Sequence, residues 1–401
     1  MYTNVDGIRN KKNLFLERVK KIKPHIIFVT ETKLIPSDIT LVHFTIEHYV
    51  PFRRDRDFVT DDTRGGGVII FVSDKFCSEQ VFLNGLENLK LVVCKIKFGS
   101  SILIAACLYR TPSSPVVYNT KLSVGIGLIS DISGDQYLLC GDFNYPNIDW
   151  TNHLADGNDE IIFYDAVQSA FLHQHVDEFT RKRGTDVPSI LDLLLTKNEL
   201  EIELIDYQSP IGKSDHAVLA FNFTIESEVT IEDEELQKKR YFKGDYIKIN
   251  KLFQNLFQNS PPEAEVQAKW DSLLHIYKST TDELIPIGYT NEGEQPRNKW
   301  MTRNALQAIH EKENKWHVYR KNKTDANLKI YNDARNESVD IVRQAKYKYE
   351  KLIAEEVGNG NVKAFYSYAR SLTSIKENVS CVQRPDGSLT NSKKRYSKYY
   401  E

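Results

Sequence analysis

The residues with the most chemical promise stand in the run Tyr137-Leu138-Leu139-Cys140-Gly141-Asp142-Phe143-Asn144. Apolar residues lead into a glycine, after which a carboxylate and an amide stand one residue apart, a spacing that puts both on one face of an extended segment. Such a strand end delivers polar groups to the rim of a sheet. Alone, Gly141-Asp142-Phe143-Asn144 fits a strand followed by an Asx turn equally well. The company it keeps tips the balance. Glu31 lies at the far end of an apolar run from His25, though a lone glutamate there is more often a solvated terminus. Asp192 is embedded in the apolar run Pro188–Leu195, and Ser214-Asp215-His216 precedes another, Ala217–Phe223. A carboxylate among apolar neighbours needs a partner. His216 is the candidate, because a buried carboxylate that orients an imidazole fixes its tautomer and raises its basicity.

Asn4, Asp6, Glu31, Asp142, Asn144, Asp192, Asp215 and His216 therefore all fall at strand ends in the first part of the chain. Such a set, rich in oxygen, suits a hard divalent cation that keeps most of its waters, as magnesium does. It does not suit zinc, which prefers Cys and His. The chemistry that wants a magnesium ion beside a base and an amide donor is in-line attack of water on phosphorus.

The elements that must position these groups are legible in outline. Apolar residues at helical spacing (Leu14, Leu16, Val19, Ile22) mark a helix over 12–22, ended by Pro24. Leu89–Phe98 and Ser101–Tyr109 read as a hairpin around Gly99-Ser100. Tyr109 closes it at the same rim, where its hydroxyl is placed to meet a phosphate, although an edge aromatic is the commoner role. Arg64-Gly65-Gly66-Gly67 reads as a hairpin turn before the strand 68–72, since neither Gly-Lys-Ser/Thr nor a helix follows. Helices are expected over Lys121–Ile132 and Glu160–Phe171. His173 and His175 are not read as metal ligands, because no third ligand is suitably spaced.

Composition sets outer bounds. A chain of 401 residues suggests two or three domains, and an apolar content of 41% supports a sizeable core. A net charge of -2 means that any nucleic-acid surface is local. Five cysteines in no metal-binding pattern are expected to be reduced. The opening residues lack the apolar core of a secretory signal, and no apolar run reaches the roughly 18 residues of a membrane span. An intracellular protein, nuclear or cytoplasmic, without membrane partners is expected.

The order Thr3-Asn4-Val5-Asp6-Gly7, Thr30-Glu31-Thr32-Lys33, Tyr109, Gly141-Asp142-Phe143-Asn144, Leu191-Asp192-Leu193 and Ser214-Asp215-His216 resembles the endonuclease/exonuclease/phosphatase superfamily. Within it, the chain is most similar to the apurinic-endonuclease-like domain of jockey-type non-LTR retrotransposons. The resemblance implies an α/β fold: a four-layered sandwich of two mixed β-sheets flanked by helices over residues 1–224. It implies that Glu31 binds the metal, with Asp6, Asn4 and Asp215 near it. Asp142 would orient or deprotonate the attacking water, while Asn144 and Tyr109 hold the scissile phosphate. His216, paired with Asp192, would donate to a phosphate oxygen or act as base. The cofactor implied is Mg2+, with Mn2+ as an alternative, and the partners are DNA and the element's own RNA. Met1 lies three positions before Asn4, so a short first strand is expected.

Beyond residue 224 a charged linker (225–243) is expected to lead into a mainly helical region (244–401) that resembles the segment before the reverse transcriptase in these elements. It carries amphipathic stretches at Tyr246–Phe257 and Glu263–Leu284 around Ser260-Pro261-Pro262. From Arg297 to Leu352, Lys and Arg outnumber Asp and Glu by about two to one, with Trp300, Trp316, Tyr319, Tyr331, Tyr347 and Tyr349 interleaved. Either the aromatics form the seam of a solvated helix pair, or the surface follows nucleic-acid phosphates. Residues 226–401 are expected to be less ordered, or extended in helices that lack their usual partner. The lead-in at Asn361–Tyr366 and Pro385-Asp386-Gly387 is followed by no aromatic-x-Asp-Asp hairpin, so no polymerase activity is expected of a chain that stops before it. The function expected is DNA nicking to leave a 3′-hydroxyl primer. The rivals are a phosphodiesterase on a phospholipid or inositol phosphate, and a decayed fragment that only binds nucleic acid or assembles.

Overall fold

The computed structural model describes residues 1–36, 46–56, 65–112, 114–184, 186–225, 236–239, 243–258, 266–290 and 299–373. The acidic stretch Glu226–Glu235, Ser260-Pro261-Pro262 and Pro385-Asp386-Gly387 lie outside them. One sheet holds β1 (Tyr2–Asn4), β2 (Ile26–Thr30), β3 (Tyr49–Arg54), β4 (Val68–Ser73), β13 (Ile202–Gln208) and β14 (Val218–Phe223) in the order β13-β14-β1-β2-β4-β3. The other holds β5 (Cys77–Val81), β6 (Lys90–Phe98), β7 (Ser101–Tyr109), β8 (Gln136–Asp142), β11 (His173–Gln174) and β12 (Asp192–Thr196) in the order β11-β12-β8-β7-β6-β5. A two-stranded ribbon, β9 (Ile148–Asp149) with β10 (Leu154–Ala155), lies apart. Each sheet has one parallel pair, β1 with β2 and β7 with β8, among antiparallel neighbours, so both are mixed.

Alternation along the strands builds the layers. On β7, Leu103, Ala105 and Cys107 enter the core between the sheets, while Ile104, Ala106 and Leu108 face outward. The outward set packs beneath α2 (Val116–Ser130) and α3 (Asn158–Ser169). On the opposite side Ile27, Val29, Ile69 and Phe71 pack with Phe15 and Val19 of α1 (Lys12–Ile22). Helix, sheet, sheet, helix are the four layers anticipated. The first strand is short, at three residues, and fully buried between β14 and β2. Helix α2 starts five residues before Lys121, directly after Pro115; its β-branched opening pair, Val116-Val117, weakens the helical signal there. Cys94, Cys107 and Cys140 are free buried thiols. No helix among the described residues is long and apolar enough to cross a membrane.

Residues 230–294 form a compact unit of their own, with α4 (Tyr246–Gln258), α5 (Val266–Leu284) and the antiparallel pair β15 (Leu236–Lys239) and β16 (Ile287–Thr290). The larger unit joins residues 1–229 with 295–401. Its later part contains α6 (Arg303–Lys321), α7 (Asp325–Gly358) and α8 (Val362–Thr373). Thr302 and Thr324 cap α6 and α7 by accepting from the Ala305 and Asn327 amides. Trp300, Met301 and Ala305 meet Val342 in a seam between the two helices. Three of the other aromatics pack against the sandwich. Trp316, Tyr319 and Tyr331 join the inter-sheet core, and the Trp316 indole donates to the Tyr207 carbonyl on β13 at 2.8 Å. An otherwise open sheet edge is thereby covered by a helix.

Buried charge holds the same interface. Arg18 of α1 pairs with Glu313 of α6 at 3.0 Å, Lys21 also binds Glu313, and Lys312 donates to the Pro210 carbonyl at 3.3 Å. Burial, with Arg18, Lys21 and Arg335 nearby, lowers Lys312 from 10.5 to about 7, Glu313 opposing. Between those two values the unfolded chain holds a proton that the folded chain lacks, so stability rises with pH across that window. Lys312→Met is therefore expected to raise the melting temperature at pH 7 and to flatten the rise from pH 7 to 10. Thermal unfolding of both proteins across that range checks it; parallel curves would refute it.

Candidate active site

The inner faces of both sheets are apolar along most of each strand and become polar at one end. Leu138 and Cys140 of β8 lie in the inter-sheet core, and Asp142 continues their row. In the same way Leu194 leads to Asp192, Cys107 to Tyr109, Phe28 to Thr30 and Tyr2 to Asn4. Register aligns these ends. Asp192 and Tyr109 both stand opposite Asp142, one on each neighbouring strand, and Asn4 stands opposite Thr30. Period-two alternation plus register thus gathers side chains that are far apart in sequence.

At the centre, His216 Nδ1 and Asp192 Oδ2 are 2.7 Å apart, with both groups buried. Asp192 also accepts from the Tyr2 hydroxyl at 2.6 Å. The Thr180 hydroxyl accepts the Leu191 and Asp192 amides, and the Ala217 amide donates to the Thr180 carbonyl at 2.8 Å. The imidazole is therefore held from below and from the side. Its other nitrogen, Nε2, lies 3.9 Å from Asp142 and 3.8 Å from Asp215, beyond hydrogen-bond reach of either. Burial alone would lower the pKa of His216, but Asp192, through charge and hydrogen bond, with Asp142 and Asp215, raises it to about 10. The bond to Asp192 occupies Nδ1 and leaves Nε2 uncommitted to these carboxylates. Burial pushes Asp142 well above the usual carboxylate range, Asp192 and Glu31 adding to the rise while His216 and Asn4 oppose it.

Asn4 links two carboxylates: its amide nitrogen donates to Asp142 at 2.8 Å and to Glu31 at 3.3 Å. The Asn4 side-chain oxygen accepts the Asp6 amide at 3.0 Å. Glu31 accepts from the Tyr109 hydroxyl at 2.9 Å, and Lys33 bonds both Glu31 and Asp6. Burial would raise Asp6, yet Lys33 and Lys11 outweigh it and hold Asp6 below its usual value. Asp215 pairs with Arg181 at 3.0 Å. Glu31, Asp6, Asp215, His216, Tyr109 and Asn144 all line one cavity of about 1210 Å³.

Asn144 departs from the one-face geometry that its spacing from Asp142 suggests. The strand ends at Asp142, and Asn144 turns into the left-handed region (φ 53°), where its amide N–H donates to Asp142 Oδ1 at 3.2 Å. The Asx turn and the site are one structure. The Asn144 side-chain amide donates to the Arg110 carbonyl at 2.7 Å, and Arg110 returns a bond to the Asn144 carbonyl at 2.8 Å. Asp6 (φ 45°), Glu31 (φ 50°) and Lys33 (φ 55°) are left-handed as well. For residues other than glycine that conformation costs on the order of 1–3 kcal/mol, and four such residues share this cavity's rim.

Neighbours with no obvious signal in sequence complete the site. Gly66 and Gly67 accept the Lys33 and Thr32 amides, which extends the pairing of β2 with β4 past the strands' ends; they lie in the connection between the antiparallel strands β3 and β4, and Arg64 of the expected hairpin turn lies outside the described residues. A Cβ at Gly65 would fall 2.5 Å from the Tyr109 hydroxyl, so glycine is required for that ring to reach Glu31. Tyr2, Thr180 and Arg181 were likewise invisible as site residues, since each looks like ordinary strand or loop composition.

Three carboxylate and imidazole groups, Asp142, Asp192 and His216, bring ligand atoms within 4.8 Å of one another. Residues 103–220 match the model of a family described as endonuclease-reverse transcriptase. The matched residues run from β7 to β14, through most of the strands that carry the site, and are similar to the endonuclease/exonuclease/phosphatase family. No curated protein matches the chain. Similar solved structures include the endonuclease domain of TRAS1, a telomere-specific non-LTR retrotransposon, at 14% identity over 56% of this chain and 97% of that one, with a TM-score of 0.45. They also include the 3′ phosphatase NExo from Neisseria, at 13% identity over 56% and 98%, TM-score 0.42. An AP endonuclease from Archaeoglobus fulgidus is similar at 15% identity over 56% and 98%, TM-score 0.42. Likenesses this distant bear on neither substrate nor mechanism.

Proposed function

We propose that this endonuclease/exonuclease/phosphatase domain is a magnesium-dependent endonuclease that nicks DNA and leaves a 3′-hydroxyl, the end that primes reverse transcription in a non-LTR element. The observation that carries the reading is the convergence, at one cavity, of the Asp192-held imidazole of His216 with Glu31, Tyr109 and Asn144, the buried Asp142 being tied to the same group through Asn4.

The residues fit a hard cation. Glu31 and Asp6 already converge on one positive charge, the Lys33 ammonium, at the cavity lining, and Asp215 lines the same space. Their donors are all oxygen, as magnesium or manganese requires. The buried Asp142–Asp192–His216 group is a poorer holder, because His216 Nδ1 is already committed to Asp192. Glu31 would be the principal ligand, with Asp6 and Asp215 beside it. Bound there, the ion would offset charge on the phosphate and leaving oxygens.

The chain's own groups do the rest. Asp142, held by the Asn4 amide beside His216, would take the proton of the attacking water. His216 Nε2–H would donate to a non-bridging phosphate oxygen and stabilise the charge that gathers there in the transition state. An amide nitrogen carries two donors, so Asn144 keeps one for the phosphate after bonding Arg110. Tyr109 donates to Glu31 and fixes its orientation.

Supercoiled plasmid incubated with the protein and magnesium is expected to relax to the nicked form, with a product end that a polymerase extends. Chelation by EDTA should abolish the reaction and excess magnesium should restore it. Nicking that survives EDTA, or an absence of nicking at any metal concentration, would reject the proposal.

A further inference from the structure

The cavity is not lined by the sandwich alone. Leu328, Asn332 and Arg335 of α7 line it too, and their spacing of four and three residues puts them on one face of that helix. The start of α7 is tied to the loop before His216's neighbour strand by Lys182–Asp325 at 3.3 Å. Among the described residues, Arg183, Lys213 and Arg335 are cations of this cavity that form no ion pair, whereas Lys33, Arg181 and Lys182 are paired. The Arg335 Nε is buried and has no hydrogen-bond partner, and its terminal nitrogen reaches only Asn336, at 3.5 Å. A guanidinium left in this state beside an active-site cavity lacks an anion.

We infer that α7 is part of the substrate-binding surface: Arg335 and Asn332 grip a phosphate of the same DNA strand or its complement, away from the scissile bond. Arg183 and Lys213 take neighbouring phosphates. DNA carries one charge per 1.7 Å of axis, so a cavity about 10 Å across meets several phosphates at once. The inference rests on the nuclease reading, which names the polyanion. It adds that the helical hairpin following the sandwich helps to choose and hold the substrate.

The test measures binding of a short fluorescent DNA duplex, without magnesium, as a function of salt, alongside plasmid nicking with magnesium. Arg335→Gln is expected to weaken binding about tenfold at low salt and to reduce the slope of log affinity against log salt by about 1. Arg335→Glu should weaken it further, and Arg335→Lys should restore most of the slope. Arg343→Gln, on an exposed stretch of the same helix, should leave both unchanged. Asn332→Asp, which places a negative charge on the cavity-lining face, provides a second reading if the Arg335 variants melt below the wild type. Wild-type affinity and slope in Arg335→Gln and Asn332→Asp would overturn the inference. Failure of the wild type to nick, with the slope change still present, would instead overturn the nuclease reading and leave the binding surface standing.

Discussion

His216→Ala is expected to lower the rate of plasmid nicking by about 10³-fold, with His216→Gln close behind. Its Nε2 is the donor aimed into the cavity, and removing one preorganised donor of this kind typically costs about 10²–10³-fold, with general acid–base help adding to that. Asp192→Asn should cost about 10²-fold, because Asp192 acts only by holding the ring and its charge. The double variant separates the roles: Asp192→Asn on top of His216→Ala should cost nothing further, since there is no ring left to hold. Losses that multiply would mean that Asp192 touches the reaction by another route.

Asp142→Asn is expected to do two opposite things. Nicking should fall by about 10²–10⁴-fold, the range for removal of a general base. The melting temperature should rise by a few degrees. Asp142 and Asp192 stand directly opposite on adjacent strands and are both buried, and like charges in that position destabilise a sheet. The sign follows from the direction of the shift. A carboxyl whose folded pKa is raised binds more protons folded than unfolded above its ordinary value, so it withdraws stability as pH rises through that value. Asparagine keeps the shape and lacks the charge. A melting temperature below the wild type would show that the carboxylate is structural and would remove the reason for calling it a base.

Much of this site was readable from strands alone. Asp142 and Tyr109 each end an apolar run and Asp192 is embedded in one, and alternation fixes which face they take. What alternation does not carry is the turn after the strand. Asn144 seemed to share a face with Asp142, but the left-handed backbone swings it toward Arg110. Glu31 likewise looked like a solvated end, and only its left-handed backbone and Asn4 and Tyr109 contacts explain its orientation. Lys33 was visible but had no assigned task until its ammonium was seen between Asp6 and Glu31. The helices of the second part were legible from their periodicity. Their docking was not, because an aromatic at helical spacing fits an inter-helix seam as well as a sheet edge. Trp316 could only be assigned once β13 was there to accept its indole N–H.

The same docking ties the histidine to the far end of the chain. Arg320 of α6 donates to the Phe179 carbonyl and bonds Glu178, and two residues further on Arg181 bridges directly to His216 and grips Asp215. Trimming the protein after Phe223 would strip the cover from Tyr207 and release the strap that runs past the imidazole. A protein cut back to residues 1–224 is therefore expected to melt at a lower temperature than one that extends through Arg320.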